Sequence, residues 1–227
     1  MRTLAILPVK SFGAAKQRLA ESLGVGSRQA LAQAMFTDVL GAVRRVPGLD
    51  EIAVVTSDRA AESAAAGSRV RVLREEGESG HSQAALVGIR HALAEGYERV
   101  LLIPGDTPLV QAGELAGLLA ARVGVTVVPD RHGTGTNALL LAPPDAIEPS
   151  FGSGSFERHV AAAEEAGVPH RVEAIPGLAL DVDTPADLAA LVAELELRRG
   201  QAPSTLGALR QLDRAGAHPV RVPQASG

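Results

Sequence analysis

The sequence predicts a three-layer α/β/α fold in which helices cover both faces of a mostly parallel central sheet. Short runs rich in β-branched residues alternate with longer Ala/Leu-rich amphipathic stretches, as in repeated βαβ units. The 227 residues, 46% of them hydrophobic, are enough to bury one full core. Polar loops follow several predicted strands, and such sheets bind ligands at the carboxyl ends of their strands. We therefore expect one large ligand-binding domain.

Five strands and four helices are predicted before residue 129. The strands are short apolar runs at 4–9, 51–56, 70–73, 99–103 and 124–128. The helices are the amphipathic stretches between them, at 27–46, 59–66, 81–95 and 111–122. Ser27 is the expected N-cap of the first helix, because its hydroxyl can accept a hydrogen bond from a free backbone amide.

The pattern becomes less regular after Pro129. An apolar run at 137–142 is predicted as a strand antiparallel to its neighbours. A helix at 156–166, strands at 170–175 and 178–182 and a helix starting near Thr184 and Pro185 follow. Residues 1–200 form the predicted domain and 201–227 a polar tail, in which a short docking helix is suggested by three leucines: Leu206, Leu209 and Leu212.

Composition argues against several classes of function. The chain has no cysteine, which excludes disulfides, thiolate zinc sites and cysteine nucleophiles. With 2% aromatic residues and a net charge of −4, we expect no nucleic-acid partner. The apolar run near the N-terminus is short and contains Pro8, so we expect neither a signal peptide nor a membrane span. The sequence predicts a cytoplasmic protein that acts on small molecules.

Only two of the 22 basic residues are lysines, Lys10 and Lys16, and both lie in the loop after the first predicted strand. An ammonium group is a compact charge on a flexible stem, whereas a guanidinium group is a rigid planar fork. The two are therefore not interchangeable where the cation must stay in contact with a phosphate group that moves during a reaction. Together with Arg18, the loop supplies three cations within nine residues, enough to surround a triphosphate. The alternative is a solvated basic loop in a protein that otherwise uses arginine.

Three aspartates lie at the ends of predicted strands. Asp106 follows the strand at 99–103, and Asp181 and Asp183 lie at the end of the strand at 178–182. Alternation along an extended chain places Asp181 and Asp183 on the same side, so both can face a divalent cation such as Mg²⁺. The alternatives are ordinary turn and capping roles, with Asp106 capping the next helix and Asp183 the helix at Thr184.

Two loops rich in Gly, Ser and Thr, residues 133–136 and 152–155, are candidate anion sites. Glycine allows backbone amides to approach an anion closely, and hydroxyl groups add further donors. The second loop opens a helix, whose amino end favours negative charge. Combined with the lysine loop and the aspartates, the two loops indicate two phosphorylated substrates.

Taken in order, these segments resemble a known family. They are Pro-Val-Lys, Ala-Lys-Gln-Arg-Leu-Ala, Gly-Asp-Thr-Pro-Leu, Gly-Thr-Gly-Thr, Phe-Gly-Ser-Gly-Ser with the Arg-His that follows it at 158–159, and Asp-Val-Asp-Thr-Pro-Ala-Asp-Leu. The chain resembles, over residues 3–192, the phospholactate/phosphoenolpyruvate guanylyltransferases of deazaflavin coenzyme F-420 biosynthesis. The resemblance implies a nucleotidyltransferase fold of the GT-A-like Rossmannoid type. It also implies that the phosphate of a three-carbon acid attacks the α-phosphate of GTP and releases pyrophosphate.

The resemblance also implies roles for individual residues. Two Mg²⁺ ions are expected on Asp106 and Asp181, with Asp183 either as a third ligand or as a residue that supports the ligands. Lys10, Lys16 and Asp106 form the expected catalytic set. The positions expected to hold the phosphoenolpyruvate-type acceptor are Thr136, Gly152 and Ser155. Those expected near the nucleotide are Pro8, Lys10, Lys16, Arg18, Gly80 and Gln83, with residues 77–80 forming a loop around the base.

Phosphoenolpyruvate is the favoured acceptor because the composition, rich in arginine and alanine, resembles that of actinobacterial members of the family. The closest alternatives are 2-phospho-L-lactate and 3-phosphoglycerate, which share the phosphate and the carboxylate. Two more distant alternatives are a metal-dependent nucleotide-sugar glycosyltransferase and a non-catalytic nucleotide-binding module. A homodimer is the default expectation for the oligomeric state.

Overall fold

A computed structural model describes residues 1–13, 15–66, 70–75, 80–121 and 124–216. The strands are β1 (Thr3–Pro8), β2 (Glu51–Thr56), β3 (Arg71–Arg74), β4 (Arg99–Leu102), β5 (Val125–Pro129), β6 (Thr136–Leu141) and β7 (His170–Val172). The α-helices are α1 (Val25–Val43), α2 (Arg59–Ala66), α3 (His81–Ala94), α4 (Ala112–Leu119), α5 (Ser155–Glu165), α6 (Pro185–Leu197) and α7 (Pro203–Arg214). A short 3-10 helix, Gln17–Leu19, precedes α1.

The strands form one mixed sheet in the order β3-β2-β1-β4-β6-β5-β7. Strand β6 runs antiparallel to both of its neighbours, β4 and β5, and the other pairs are parallel. The predicted α/β class, with a mostly parallel sheet and an antiparallel strand after Pro129, is therefore confirmed. Because β6 is reversed, its amino end meets the carboxyl ends of β1, β4 and β5 at one edge of the sheet.

Apolar layers cover both faces of the sheet, which confirms the three-layer arrangement. On one face, side chains of α1, α2 and α4 pack against inward residues such as Leu7, Val54 and Leu101. On the other face, α3 and α5 pack against Ile6 and Leu102. Consecutive strand residues point to opposite faces and both faces are covered, so β1 and β4 are apolar after their first residues, Thr3 and Arg99. Among the described residues, no helix is both long and apolar enough to cross a membrane.

A third apolar cluster joins the outer side of α1 to α6 and α7. In α7, Leu209 and Leu212 are buried and Leu206 is half-buried. The carboxylate of Asp38, on α1, accepts hydrogen bonds from the backbone amides of Ser204 and Thr205 at 3.1 and 2.7 Å, which fixes the amino end of α7. The domain boundary at residue 200 stays a prediction, and residues 217–227 of the predicted tail lie outside the described residues.

Two predictions of local structure are wrong. Helix α1 begins at Val25 with Gly24 as its N-cap, so Ser27 lies within the first turn and does not cap it. The predicted strand at 178–182 is not a strand, because backbone groups of this segment bond to loop and side-chain groups. The Leu178 carbonyl accepts from Asn137 Nδ2 at 2.7 Å, and the Ala179 carbonyl accepts from the Arg131 amide at 2.7 Å.

Candidate active site

The polar loops named above meet at the edge of the sheet that holds the carboxyl ends of β1, β4 and β5. Two adjoining clefts open there, and both are lined by Pro8 and His81. The remaining lining residues of the first cleft are Val9, Lys10, Ser57, Glu75, Gly80 and Ala84. Those of the second cleft are Leu102, Ile103, Pro104, Thr136 and Phe151. Strands β1 and β4 flank the point where the strand order reverses, which is where α/β sheets bind ligands.

Lys16 lies between two of the predicted aspartates. Its Nζ atom donates to Asp106 Oδ2 at 2.5 Å and to Asp183 Oδ1 at 2.9 Å, and its side chain is only 6% exposed. Lys16 has a left-handed backbone conformation (φ 57°, ψ 40°), which is uncommon for a residue with a side chain. The fold thus holds this lysine in a specific orientation that joins the loop after β1 to the loops of both aspartates.

The loop that carries Lys16 is attached to the fold at Phe12. The Phe12 amide donates to Asp58 Oδ2 at 2.7 Å, and its ring packs 5.9 Å from the ring of Phe36 on α1. The other oxygen of Asp58 accepts from the first amides of α2, at Ala60 and Ala61. One carboxylate therefore caps α2 and also anchors the lysine loop.

The charges of this cluster shift one another's protonation. Burial alone would lower the pKa of Lys16, but the Asp106 and Asp183 carboxylates outweigh it and raise the pKa above its ordinary value. Burial alone would raise the pKa of Asp106, but the Lys16 ammonium outweighs it and lowers the pKa. The lysine and Asp106 are therefore both charged at neutral pH.

Asp181 lies near Asp106 and Asp183. Its Oδ1 atom accepts from Asn137 Nδ2 at 3.1 Å, and Asn137 also bonds to the Leu178 carbonyl. Burial and the nearby Asp106 carboxylate raise the pKa of Asp181, while the bond from Asn137 opposes that rise. The side-chain amide of Asn137 therefore orients the Asp181 carboxylate, which lies near other negatively charged carboxylates.

Other residues take the capping roles considered for these aspartates. Gln111 is the N-cap of α4, and Thr184 is the N-cap of α6 in a capping box with Asp187. Asp187 Oδ2 also accepts from the Asp183 amide at 3.1 Å, so it positions the backbone of Asp183. The side chains of Asp106 and Asp183 bond to Lys16 instead.

The donor set suits a hard divalent cation, although the carboxylates are not gathered into a coordination shell. Within the described ranges, no three Asp, Glu or His side chains are arranged to hold an ion as they stand. The Lys16 ammonium bridges Asp106 and Asp183, and Asp181 lies close enough to both carboxylates to be affected by their charge, so the three carboxylates carry more negative charge than the one ammonium balances. Carboxylate oxygens are the ligands that Mg²⁺ prefers, so the residues fit the predicted ion.

Not every predicted nucleotide residue faces a cleft. Lys10 is exposed and lines the first cleft, as does Gly80, whose positive φ of 97° starts α3. Arg18 is exposed on the 3-10 helix, and Gln83 is exposed on the first turn of α3. Neither of them lines the first or the second cleft, and Lys16 does not line them either. Of the loop expected around the base, residues 77–79 lie outside the described residues.

The predicted acceptor residues belong to two loops that contact each other. Thr136 begins β6 and lines the second cleft, while Gly152 is exposed and Ser155 is buried at the amino end of α5. The Phe156 amide donates to the Thr134 carbonyl at 3.2 Å, which joins the loop before β6 to the start of α5. Only Thr136 of the three lines the cleft.

His159, on α5, is a buried polar residue that belongs to a segment of the family resemblance but to which the sequence assigned no role. Its Nδ1 atom lies 2.9 Å from Thr136 Oγ1, and its Nε2 atom accepts from the Ser150 amide at 2.9 Å. Burial and the nearby Arg158 lower the pKa of His159 to about 4. Ser155, His159 and Ala163 recur every four residues on the buried face of α5, and this spacing could have indicated an inward histidine.

The stability of the fold should depend on pH through His159. Its folded pKa of about 4 lies below the ordinary 6.5, so its contribution is complete above pH 6.5 and is lost as the pH falls towards 4. Between pH 7 and pH 5, we expect the free energy of unfolding to fall by about 2 kcal/mol more in the wild type than in His159→Gln. Urea unfolding of both proteins at the two pH values measures this difference. Equal losses would contradict it.

The turn that leads to Asp181 is packed too closely for a side chain at Gly177. A Cβ atom there would lie 2.1 Å from Glu114 Oε2 and 2.8 Å from the Leu109 carbonyl oxygen. We expect Gly177→Ala to destabilise the protein by about 1–3 kcal/mol, because backbone atoms must move. Gly117→Ala, in α4, is the matched control, since a Cβ there meets nothing within 4 Å. Similar urea midpoints for the two variants would contradict this expectation.

Comparisons with known proteins give a family model and named relatives that match most of the chain. The family model described as "Guanylyl transferase CofC like" matches residues 3–204. A phosphoenolpyruvate guanylyltransferase of Conexibacter woesei is 49% identical over 216 residues, covering 93% of this chain and 97% of its own length. One of Sphaerobacter thermophilus is 40% identical, covering 83% and 91%. A 2-phospho-L-lactate guanylyltransferase of Methanothermobacter thermautotrophicus is 36% identical, covering 85% of each chain.

Solved structures share the fold at lower sequence identity. A protein of Desulfovibrio desulfuricans G20 superimposes with a TM-score of 0.76 at 19% identity, covering 94% of this chain and 96% of that one. A nucleotidyl transferase of Methanothermobacter thermautotrophicus gives a TM-score of 0.62 at 22% identity, covering 87% and 99%. These likenesses show the nucleotidyltransferase-type fold predicted from the sequence.

Proposed function

Because the chain belongs to the CofC-like guanylyl transferase family, we propose that it transfers GMP from GTP to the phosphate of phosphoenolpyruvate and releases pyrophosphate. The observation that carries the proposal is the cluster of Lys16 with Asp106, Asp181 and Asp183, which lies at the same edge of the sheet as the two clefts. Such a cluster can offset charge on phosphate groups, and the two clefts mark the places assigned here to the two substrates.

GTP is assigned to the first cleft and the three-carbon acid to the second. Lys10 lines the first cleft, and Gly80 there opens α3, whose amino end favours a phosphate. Thr136 lines the second cleft and offers a hydroxyl group to an anion. Since Pro8 and His81 line both clefts, the two substrates would lie side by side, as an in-line attack on the α-phosphorus requires.

Two Mg²⁺ ions are proposed to bind at Asp106, Asp181 and Asp183. When bound, Mg²⁺ neutralises charge on the phosphates and orients the attacking and leaving oxygens. The carboxylates supply its oxygen ligands, and Asn137 keeps that of Asp181 in place. The Lys16 ammonium, which lies between Asp106 and Asp183, would supply a positive charge for the phosphate oxygens beside the ion.

The protein itself has little proton chemistry to perform. A phosphate monoester is already anionic at neutral pH, so the acceptor needs no general base. The acceptor oxygen forms a bond to the α-phosphorus of GTP, the bond to the β-phosphate oxygen breaks, and pyrophosphate leaves with that electron pair. Lys10 and Lys16 would offset the charge that gathers on the α- and β-phosphates, so their task is positioning and electrostatic stabilisation.

Phosphoenolpyruvate is preferred as acceptor on the names of the relatives. The relatives from Conexibacter woesei and Sphaerobacter thermophilus are named phosphoenolpyruvate guanylyltransferases, and the less similar one is named for 2-phospho-L-lactate. We assign the reaction to the cytoplasm, where GTP and phosphorylated three-carbon acids occur together.

A pyrophosphate assay tests the proposal. With GTP, Mg²⁺ and phosphoenolpyruvate all present, we expect pyrophosphate release in equal amount to consumed acid, and no release when either substrate is omitted. Release of a nucleoside diphosphate with a sugar acceptor would indicate a glycosyltransferase instead. GTP binding with no turnover on any of the three acids would indicate a non-catalytic module.

A further inference from the structure

The hydrogen bonds of His159 have a fixed direction. The Ser150 amide donates to Nε2, so that nitrogen must carry a lone pair and cannot be protonated. A neutral imidazole then has its proton on Nδ1, which donates to Thr136 Oγ1 at 2.9 Å. The hydroxyl of Thr136 therefore acts as the acceptor towards His159.

This direction determines what the Thr136 hydroxyl can do next. Its own proton points away from His159, and no described residue accepts a hydrogen bond from it. Thr136 lines the second cleft, so its hydroxyl is a ready donor for an oxygen anion bound there. A carboxylate or phosphate oxygen accepts such a bond strongly because it is charged.

We propose that His159 is a positioning residue for the acceptor acid, which fixes the Thr136 hydroxyl as a donor into the second cleft and ties it to the loop at residues 150–153. The inference rests on the proposed function, since it takes the ligand of the second cleft to be a phosphorylated three-carbon acid. His159 contacts no substrate itself in this account. It acts through Thr136 and through the Ser150 amide.

Neighbouring groups hold the imidazole and the loop in this arrangement. Arg158 donates from Nε to Ser150 Oγ at 2.9 Å and from a terminal nitrogen to the Ser153 carbonyl at 2.5 Å. The ring of Phe151 packs edge-on between His159 and His81, at 5.2 and 5.6 Å. The imidazole is fully buried, so it can rotate only if this packing is broken.

The two hydrogen bonds of His159, to Thr136 and to the Ser150 amide, can be removed one at a time by substitution. His159→Gln places an amide oxygen near the position of Nε2 and keeps an acceptor for Ser150, but it loses the donor to Thr136. His159→Asn does the opposite, because its amide nitrogen lies near the position of Nδ1. Both variants lose the ring, so each is a control for the other in stability, which thermal unfolding measures.

Steady-state kinetics with GTP and phosphoenolpyruvate then tests the proposal. In His159→Gln, we expect KM for the acid to rise about five- to tenfold, as for one lost hydrogen bond, and KM for GTP to stay within about twofold. His159→Asn should raise KM for the acid less than His159→Gln does. An equal rise in both KM values, or a larger effect in His159→Asn, would overturn the assignment.

A double-mutant cycle adds a readout that general loss of packing would not give. Thr136→Val removes the hydroxyl at constant shape and should raise KM for the acid at least as much as His159→Gln. Adding His159→Gln to Thr136→Val should then change KM little, since the bond it acts through is absent. Effects that multiply would show that the histidine acts independently of Thr136.

The protonation state of the unmodified protein gives an independent test. Nitrogen NMR of the wild type should show His159 protonated on Nδ1 only, with the Nδ1 signal shifting on addition of phosphoenolpyruvate. Protonation on Nε2, or an unchanged signal, would contradict the proposal even if no variant folds. If the wild type transfers GMP to none of the three acids, the proposed function fails. The NMR spectrum still shows, independently of activity, which ring nitrogen of His159 is protonated.

Discussion

Replacing Asp106 with asparagine is expected to abolish GMP transfer while the protein remains folded. Asparagine has the same shape, but it lacks the charge that holds the Lys16 ammonium at 2.5 Å and that binds a divalent cation. We expect the turnover number to fall at least about 100-fold, because charge stabilisation on the phosphates is lost. Pyrophosphate release measures turnover, and circular dichroism reports the fold.

Asp145→Asn is the matched control for this substitution. Asp145 is exposed in the loop that follows β6, at the edge of the sheet opposite to Asp106. Asp145→Asn loses the same negative charge as Asp106→Asn, but it should retain full turnover. Near-normal product formation by Asp106→Asn would refute the assignment of the carboxylate cluster as the metal and phosphate site.

Lys16→Arg is expected to lose most of the rate although the charge is conserved. The Lys16 side chain is 6% exposed and its single nitrogen bonds to two carboxylates, a space that suits a compact ammonium and not a planar guanidinium fork. Arginine should also remain paired with the carboxylates when the phosphates arrive. We expect kcat to fall about 10- to 100-fold, measured by pyrophosphate release.

Lys10→Arg provides the comparison for Lys16→Arg. Lys10 is exposed at the rim of the first cleft, where a longer and planar side chain can be accommodated. Its replacement should therefore cost less rate than that of Lys16. A fully active Lys16→Arg variant would mean that the two lysines among 22 basic residues are an accident of composition.

Periodicity was enough to predict most of the fold, because strands and helices here differ in length and in apolar spacing. It was not enough at residues 178–182, where Leu178, Leu180 and Val182 have the alternation of a strand. All three are buried, but in apolar clusters with helices, and the backbone bonds to Asn137 and Arg131. Alternation indicates burial of every second side chain, and it does not show what the backbone pairs with.

The candidate site was predictable where it depends on sheet topology alone. Parallel strands bring the loops of Lys16 and Asp106 to one edge, and the reversal of β6 brings Thr136 there too. The direct pairing of Lys16 with Asp106 and Asp183 depends on a left-handed turn that no local pattern indicates. The support from Asn137 and His159 arises from tertiary contacts between distant segments.

The most direct test of the account is mass spectrometry of the products formed from GTP, Mg²⁺ and an equimolar mixture of phosphoenolpyruvate, 2-phospho-L-lactate and 3-phosphoglycerate. We predict one dominant product, the diphosphate of guanosine and enolpyruvate (enolpyruvoyl-2-diphospho-5'-guanosine), together with an equal amount of pyrophosphate. A dominant adduct of either other acid would contradict the assignment of the acceptor. The absence of any GMP adduct would contradict guanylyl transfer itself.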